Sequence, residues 1–387
     1  MQKKILFFNQ ISNWHIVVAW IIYFFVNGLF CIKYNPIDEI KPVYFIVLYP
    51  LIVYGIYRLT SRMRLQQKNF FFYILAIFII LFAVFLLLYI NRWSVEVDRW
   101  SALTFWSENL KNGKFPYGTP THMGGYASPF PVWQLFHFPF HLLGDTGYGQ
   151  IFCLICFFIF LFYCRTRINI GGFVLLLALS PAFWWEIAVR SDLLCNMLLV
   201  FVFLASQFYY SAYWEKHKYL AALITGLFLC TKMLVSIPLF LYFFPKFLRY
   251  RTKEKILFAV IVIAGCVLPF IPFMIGEHSI LNHPEYNPFL QQTRQGSILT
   301  IVLGGILIVL ASLKWDKMKT YFFWAGFFLF ALVFSVGVGI YLKYDNLYFV
   351  VFEDEFDKSY FNVCLPFFLF CICEIKKFKF TYTDILA

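Results

Sequence analysis

A chain of 387 residues that is 61% hydrophobic and only 13% charged is not an ordinary water-soluble domain. Its formal charge of +12 would point to nucleic acid in a soluble protein, but in a membrane protein the distribution of charge matters more than its sum, and no nucleic-acid partner is expected. Apolar runs of about 20 residues, the length needed to cross a bilayer core, predict a polytopic all-α membrane protein in contact with the lipid bilayer.

The first run, residues 14–32, has no small-residue cleavage site and reads as a retained helix. Runs at 43–56 and 70–90 follow. Between them Arg58, Arg62, Arg64 and Lys68 form a basic loop, which the positive-inside rule places in the cytoplasm with Lys3 and Lys4. The third helix is then expected to leave the membrane at Asn91 on the extracytoplasmic side. Residues 91–148 are the only long polar segment between hydrophobic runs. Within it, residues 130–143 carry Pro131, Pro139, His137 and His141, are too short to cross, and are expected to lie along the interface.

Runs at 150–163, 171–188 and 193–213 read as three further crossings. Residues 219–245 have basic residues on both flanks, which predicts two short helices, out and back, with Lys232 near the turn. Crossings at 257–275, 298–313, 321–342 and 360–373 follow, separated on the outer side by loops 276–297 and 343–360. The expected architecture is a single domain over residues 1–387 with both termini cytoplasmic. It has about ten full spans plus a short helix pair, ten to twelve transmembrane helices in all. On this topology most of the 32 Lys and Arg face the cytoplasm and most of the 20 Asp and Glu the other side. Carboxylates do not set topology, so the second asymmetry is independent and marks the outer surface as the one that handles protons, cations or polar substrates. The ten cysteines fall almost all in apolar runs and read as small buried residues.

Glu96 and Asp98 stand right after the third helix. Trp100, Leu103, Trp106 and Leu110 recur at helical spacing on one face, and Asn112-Gly113 supplies a stop. Asp98 is therefore expected at the start of a helix, where backbone amides favour an ionised carboxylate, the form a general base needs. Aspartate there equally reads as a simple N-cap. Glu186, Arg190 and Asp192 cluster at the next outer rim. The planar fork of Arg190 suits two phosphate oxygens, although an interfacial arginine also snorkels. Lys232, a charge inside an apolar run, is costly unless paired or wet, and is a functional candidate on that ground. His122, His278 and His283 match no known metal-ligand spacing. Glu353, Asp354, Glu355 and Asp357 with Lys358 read most simply as a solvated acidic loop.

The pattern E-x-D, then an aromatic-rich amphipathic helix, then N-G-K-F-P-Y-G, then G-G-Y-A-S-P-F-P and an apolar helix resembles the first luminal loop of the GT-C superfamily of integral-membrane glycosyltransferases. The polyprenol-phosphate-mannose-dependent mannosyltransferases of family GT87 are the nearest pattern. The resemblance covers residues 94–143 well and the remainder more loosely. It implies an inverting transfer of a hexose, mannose first, from a polyprenyl-phosphate carrier to a hydroxyl of a glycan or glycolipid acceptor on the extracytoplasmic side of a bacterial plasma membrane. Asp98 matches the second acid of the family motif, and Glu96 takes the place of the first, where the family has Asp; Asp98 or Glu96 would be the catalytic base. Arg190 and Lys232 would hold the donor phosphate. Tyr117, His122, Tyr126, Glu186, Asp192 and Lys358 would line the substrate site. No cofactor is required, because two cations suffice for a monophosphate leaving group; a divalent cation stays open because superfamily members with diphosphate donors need one. Two rivals stand beside this reading: a polysaccharide polymerase or ligase of the O-antigen type, and a transporter of a lipid-linked sugar.

Overall fold

The computed structural model describes residues 13–34, 42–63, 65–165, 168–294, 296–312, 317–353 and 355–374. Lys3, Lys4, Arg64, Arg167, Lys314, Asp354 and the basic residues after 374, on which part of the expected topology rests, lie outside the described residues. Among the described residues the chain is all-helical. It has no strand, only an isolated antiparallel bridge between Ile168 and Glu374.

Five helices are long and apolar enough to cross a membrane: Trp14–Lys33, Tyr44–Ser61, Asn69–Tyr89, Thr252–Met274 and Met318–Tyr344. A sixth counts if the bent pair Ile170–Ala178 and Pro181–Ala188 is one span. This makes the chain a multi-pass membrane protein. The apolar helices Tyr148–Tyr163, Leu193–Tyr209, Lys218–Leu229, Ile298–Ala311 and Lys358–Cys373 occupy other expected crossings but are shorter. At 1.5 Å per residue they fall below the roughly 30 Å of a hydrocarbon core. Along Leu65–Tyr89 side chains such as Leu81 and Leu88 are 65% and 71% exposed. In water that would be unstable; in lipid it is the expected face.

The chain divides into two compact units. The first comprises Met1–Ala83, Leu154–Trp185 and Trp315–Ala387. Here the structure corrects the expectation of one unbroken crossing at 171–188. The run bends by 63° between Ile170–Ala178 and Pro181–Ala188, because Pro181 has no amide hydrogen to continue the ladder. Polar groups freed by the break are satisfied inside the protein. Tyr49 donates its hydroxyl to the Leu179 carbonyl at 3.0 Å, Ser180 Oγ donates to Asn27 Oδ1 at 2.5 Å, and the Ala182 amide reaches the same oxygen at 3.3 Å. That is the condition under which irregular backbone is tolerated at membrane depth. Elsewhere in this unit Gly326 lets Met318–Tyr344 approach the final helix so closely that an added Cβ would stand 2.9 Å from Phe367 Cβ.

The second unit comprises Val84–Cys153 and Glu186–Lys314 and contains almost every residue singled out in the first loop. Residues 219–245 form the expected pair, Lys218–Leu229 and Ser236–Arg249, with a short 3-10 turn at Met233–Val235 between them. Lys232 sits at the bend in extended conformation, φ −154° and ψ 150°. Lys218–Leu229 packs against Thr252–Val267 through Gly226 and Gly265. A Cβ built on Gly226 would lie 3.0 Å from the Gly265 Cα, the close approach that small residues permit between membrane helices.

Candidate active site

The helix Arg99–Lys111 forms as its periodicity requires. Trp100, Leu103 and Trp106 are buried, the chain turns at Asn112, and Gly113 adopts φ 67° as a left-handed helix stop demands. Trp106 joins Tyr117, Phe130, Phe270, Phe273 and Tyr286 in one apolar cluster, which fastens the first loop to the segment around residues 270–286. The helix Pro131–Leu142 is 12 residues long, too short to cross. Its one polar-bearing side is buried through Trp133, Gln134 and His137.

Asp98 occupies the N-cap position of Arg99–Lys111, but its side chain makes no capping hydrogen bond. One carboxylate oxygen, Oδ2, instead accepts from the Thr121 hydroxyl at 3.3 Å. Gly125 stands against the same oxygen so tightly that a Cβ there would lie 2.8 Å from it. Beside it Ser101 Oγ donates to the Asp98 carbonyl at 2.8 Å and pairs with His122 Nδ1 at 2.7 Å, while His122 Nε2 lies 3.2 Å from the Val95 carbonyl. Asp98 is half-buried and Glu96 exposed. The simple N-cap reading of Asp98 therefore fails on geometry. Its carboxylate is held by residues 121–125, on the far side of the loop.

Behind Asp98 lies a buried network of charge. Arg99 Nη1 donates to Ser191 Oγ at 2.5 Å and stands 3.7 Å from Glu186 Oε1. Glu186 also accepts from the Leu194 amide at 3.3 Å. Lys232 Nζ reaches both oxygens of Asp192, at 2.9 and 3.0 Å, and Oδ2 also accepts from the Trp133 indole N–H at 2.7 Å. Gln150 closes the group by donating to the backbone carbonyls of Glu186 and Ser191. Two cations and two carboxylates balance, which is how buried charge survives desolvation. One turn apart on the adjoining helix, fully buried Gln134 and His137 have, among the described residues, no hydrogen-bond partner for their side-chain nitrogens or for the Gln134 oxygen. Burial pushes the His137 imidazole down to about 4, so it is neutral.

Other expected site residues have different surroundings. Arg190 is buried and turned away: its guanidinium bonds Asp145 Oδ2 at 2.9 Å and the carbonyls of Leu87 and Ile90 at 2.6 and 3.0 Å. The expectation of a phosphate fork there is corrected because Nε and both Nη2 hydrogens are engaged within the protein. Tyr117 is also buried, with its ring edge on Phe273 and its hydroxyl on the Pro129 carbonyl at 3.0 Å; it holds the loop and offers no face for a sugar. Tyr126 is half-buried against Tyr286. Lys358 belongs to the first unit, where its ammonium caps the Glu353 and Phe356 carbonyls at 2.7 and 3.0 Å. His283 pairs with Glu285 at 3.0 Å.

No family model, curated protein or solved structure matches this chain. What the site is rests on its own residues.

The structure brings together Asp98, His122, Glu186, Asp192 and Lys232 within the second unit and adds groups that the sequence reading passed over. Arg99 is the main one. It lies four and seven residues before Leu103 and Trp106, so the periodicity that marks the buried face also marks a buried arginine. Trp133, Thr121 and Gly125 carried no comparable signal, because their partners lie 59, 23 and 27 positions away in the chain.

Proposed function

We propose that the chain is an inverting glycosyltransferase of the GT-C type that moves a hexose, mannose first, from a polyprenyl-phosphate carrier to a hydroxyl of a glycan or glycolipid acceptor. The observation that carries the reading is the carboxylate of Asp98. It stands at a helix start without capping it, aimed by Thr121 and given room by Gly125, close after the end of a membrane-length apolar helix. A carboxylate that takes no part in holding its own helix is available for chemistry, and the membrane end is where a lipid-linked donor meets a water-borne acceptor.

In this reading Asp98 takes the proton from the acceptor hydroxyl as its oxygen attacks the anomeric carbon from the face opposite the phosphate. The bond from that carbon to the phosphate oxygen breaks, and polyprenyl phosphate leaves with the bonding electrons. Arg99, next to the base, and Lys232 favour the leaving phosphate by their charge from within the network they form with Glu186 and Asp192, rather than as a fork on its oxygens. Glu96, exposed, serves the acceptor. The site faces the extracytoplasmic side, as the distribution of basic residues argues, of a bacterial plasma membrane, as the resemblance implies.

A second reading, a transporter of a lipid-linked sugar, gains something from the helix break near Leu179, since transporters build their sites at discontinuous helices. Against it, the freed groups are used by Tyr49 and Asn27.

The test is transfer of radiolabelled sugar from polyprenyl-phosphate-mannose and polyprenyl-phosphate-glucose in purified membranes, wild type beside Asp98→Asn and Glu96→Gln. A hundredfold or greater loss in Asp98→Asn with normal insertion is expected. Equal activity in all three proteins, or none from either donor, would refute the mechanism.

A further inference from the structure

Within the first unit a groove of about 650 Å³ opens between Trp14–Lys33 and Tyr44–Ser61, lined by Ile16, Val17, Trp20, Phe24, Tyr54 and Arg58. Its walls are apolar and aromatic: Trp20 stacks on Phe24 at 5.1 Å and meets Tyr54 edge-on at 5.5 Å. One charge stands at its end. The guanidinium of Arg58 lies 6.0 Å from the Tyr54 ring centre and, among the described residues, makes no ion pair or side-chain hydrogen bond. Arg62, four residues on and exposed, has no carboxylate partner among the described residues either. Like charges four apart at a helix end repel, and an anion between them removes the repulsion.

We infer that this groove binds one anionic glycerophospholipid, an acyl chain lying against Trp20 and Phe24 and the headgroup phosphate held by Arg58 with Arg62. Guanidinium forks match phosphate oxygens two at a time, and Arg58 lies in the last turn of the helix Pro42–Ser61 with Arg62 just past its end, the depth at which headgroups lie. The lining from Ile16 to Phe24 rises about 12 Å along its helix, which suits part of one acyl chain and is short for a long polyprenyl chain. The inference does not depend on the proposed enzymatic activity.

The experiment is native mass spectrometry of the full chain exchanged into micelles doped with phosphatidylglycerol or phosphatidylcholine of identical chains. Wild type is expected to keep one phosphatidylglycerol at least fivefold more often than phosphatidylcholine, in line with about one unit of basic-residue attraction. Arg58→Gln is expected to abolish that preference, and Arg62→Gln to reduce it. Equal retention of the two lipids by wild type needs no variant to interpret and overturns the inference. So does unchanged selectivity in a monodisperse Arg58→Gln protein, displacement of the lipid by millimolar inorganic phosphate alone, or preferential retention of an added polyprenyl phosphate.

Discussion

Lys232 and Asp192 form an ion pair of 2.9 Å in which both side chains are almost wholly out of solvent. Forty positions of sequence separate them, and the lysine reaches its partner only because the chain bends between two short helices. Removing one member strands the other. Lys232→Met and Asp192→Leu are each expected to cost about 3–5 kcal/mol, while the double variant loses less than either single change, because no uncompensated charge remains. Melting of the purified protein in detergent reads this directly. Additive losses would mean that the two charges are not coupled.

Gly125 predicts a separate behaviour. Its backbone has no left-handed requirement, so the sole obstacle to alanine is the Asp98 carboxylate 2.8 Å from the new Cβ. Gly125→Ala should leave melting nearly unchanged and lower sugar transfer about 10–100-fold by turning the carboxylate from its position.

Gly226→Ala tests the helix crossing. The added methyl meets the Val262 carbonyl and the Gly265 Cα, and overpacking of this kind costs about 1–3 kcal/mol. Gly304, within Ile298–Ala311, has nothing within 4 Å of its would-be Cβ. Gly304→Ala should therefore raise stability by up to about 1 kcal/mol through backbone entropy alone. Equal melting shifts for the two variants would remove the packing argument.

Glu108 gives the first loop a pH dependence. Its carboxyl is lowered below the usual range by hydrogen bonds from Asn112 and then His141. A depressed acid adds stability that is fully present above the ordinary glutamate range near about 4.3 and is lost as pH falls through the lower native value. Stability measured between neutral pH and pH 3 should therefore fall on the acid side, and Glu108→Gln should flatten that limb by lowering the neutral end while leaving the acid end close to wild type.

The parts of the structure written in short-range pattern were legible. The helix Arg99–Lys111, its stop at Asn112-Gly113 and the paired short helices around Lys232 all follow from spacing and punctuation within a dozen residues. Asp98 was placed correctly at the helix start, but whether it caps depends on Thr121 and Gly125, which folding brings from the other end of the loop. Arg190 looked like a phosphate fork because its partner, Asp145, lies 45 residues away. Tyr117 looked like a sugar platform because no local signal tells a buried ring from an exposed one. The break near Leu179 was hidden by its apolar flanks, although Ser180-Pro181 is a recognisable interruption.

Arg190 also adopts φ 55°, an uncommon conformation for a residue with a side chain, and its guanidinium caps the carbonyls of Leu87 and Ile90. Leu87 is in the last turn of the helix Leu65–Tyr89 and Ile90 is the residue just past it, so the place where that helix stops is fixed by a side chain a hundred residues later. It cannot gain another turn when the surrounding bilayer thickens. In such a membrane the mismatch has to be met by tilt or by local thinning of the lipid.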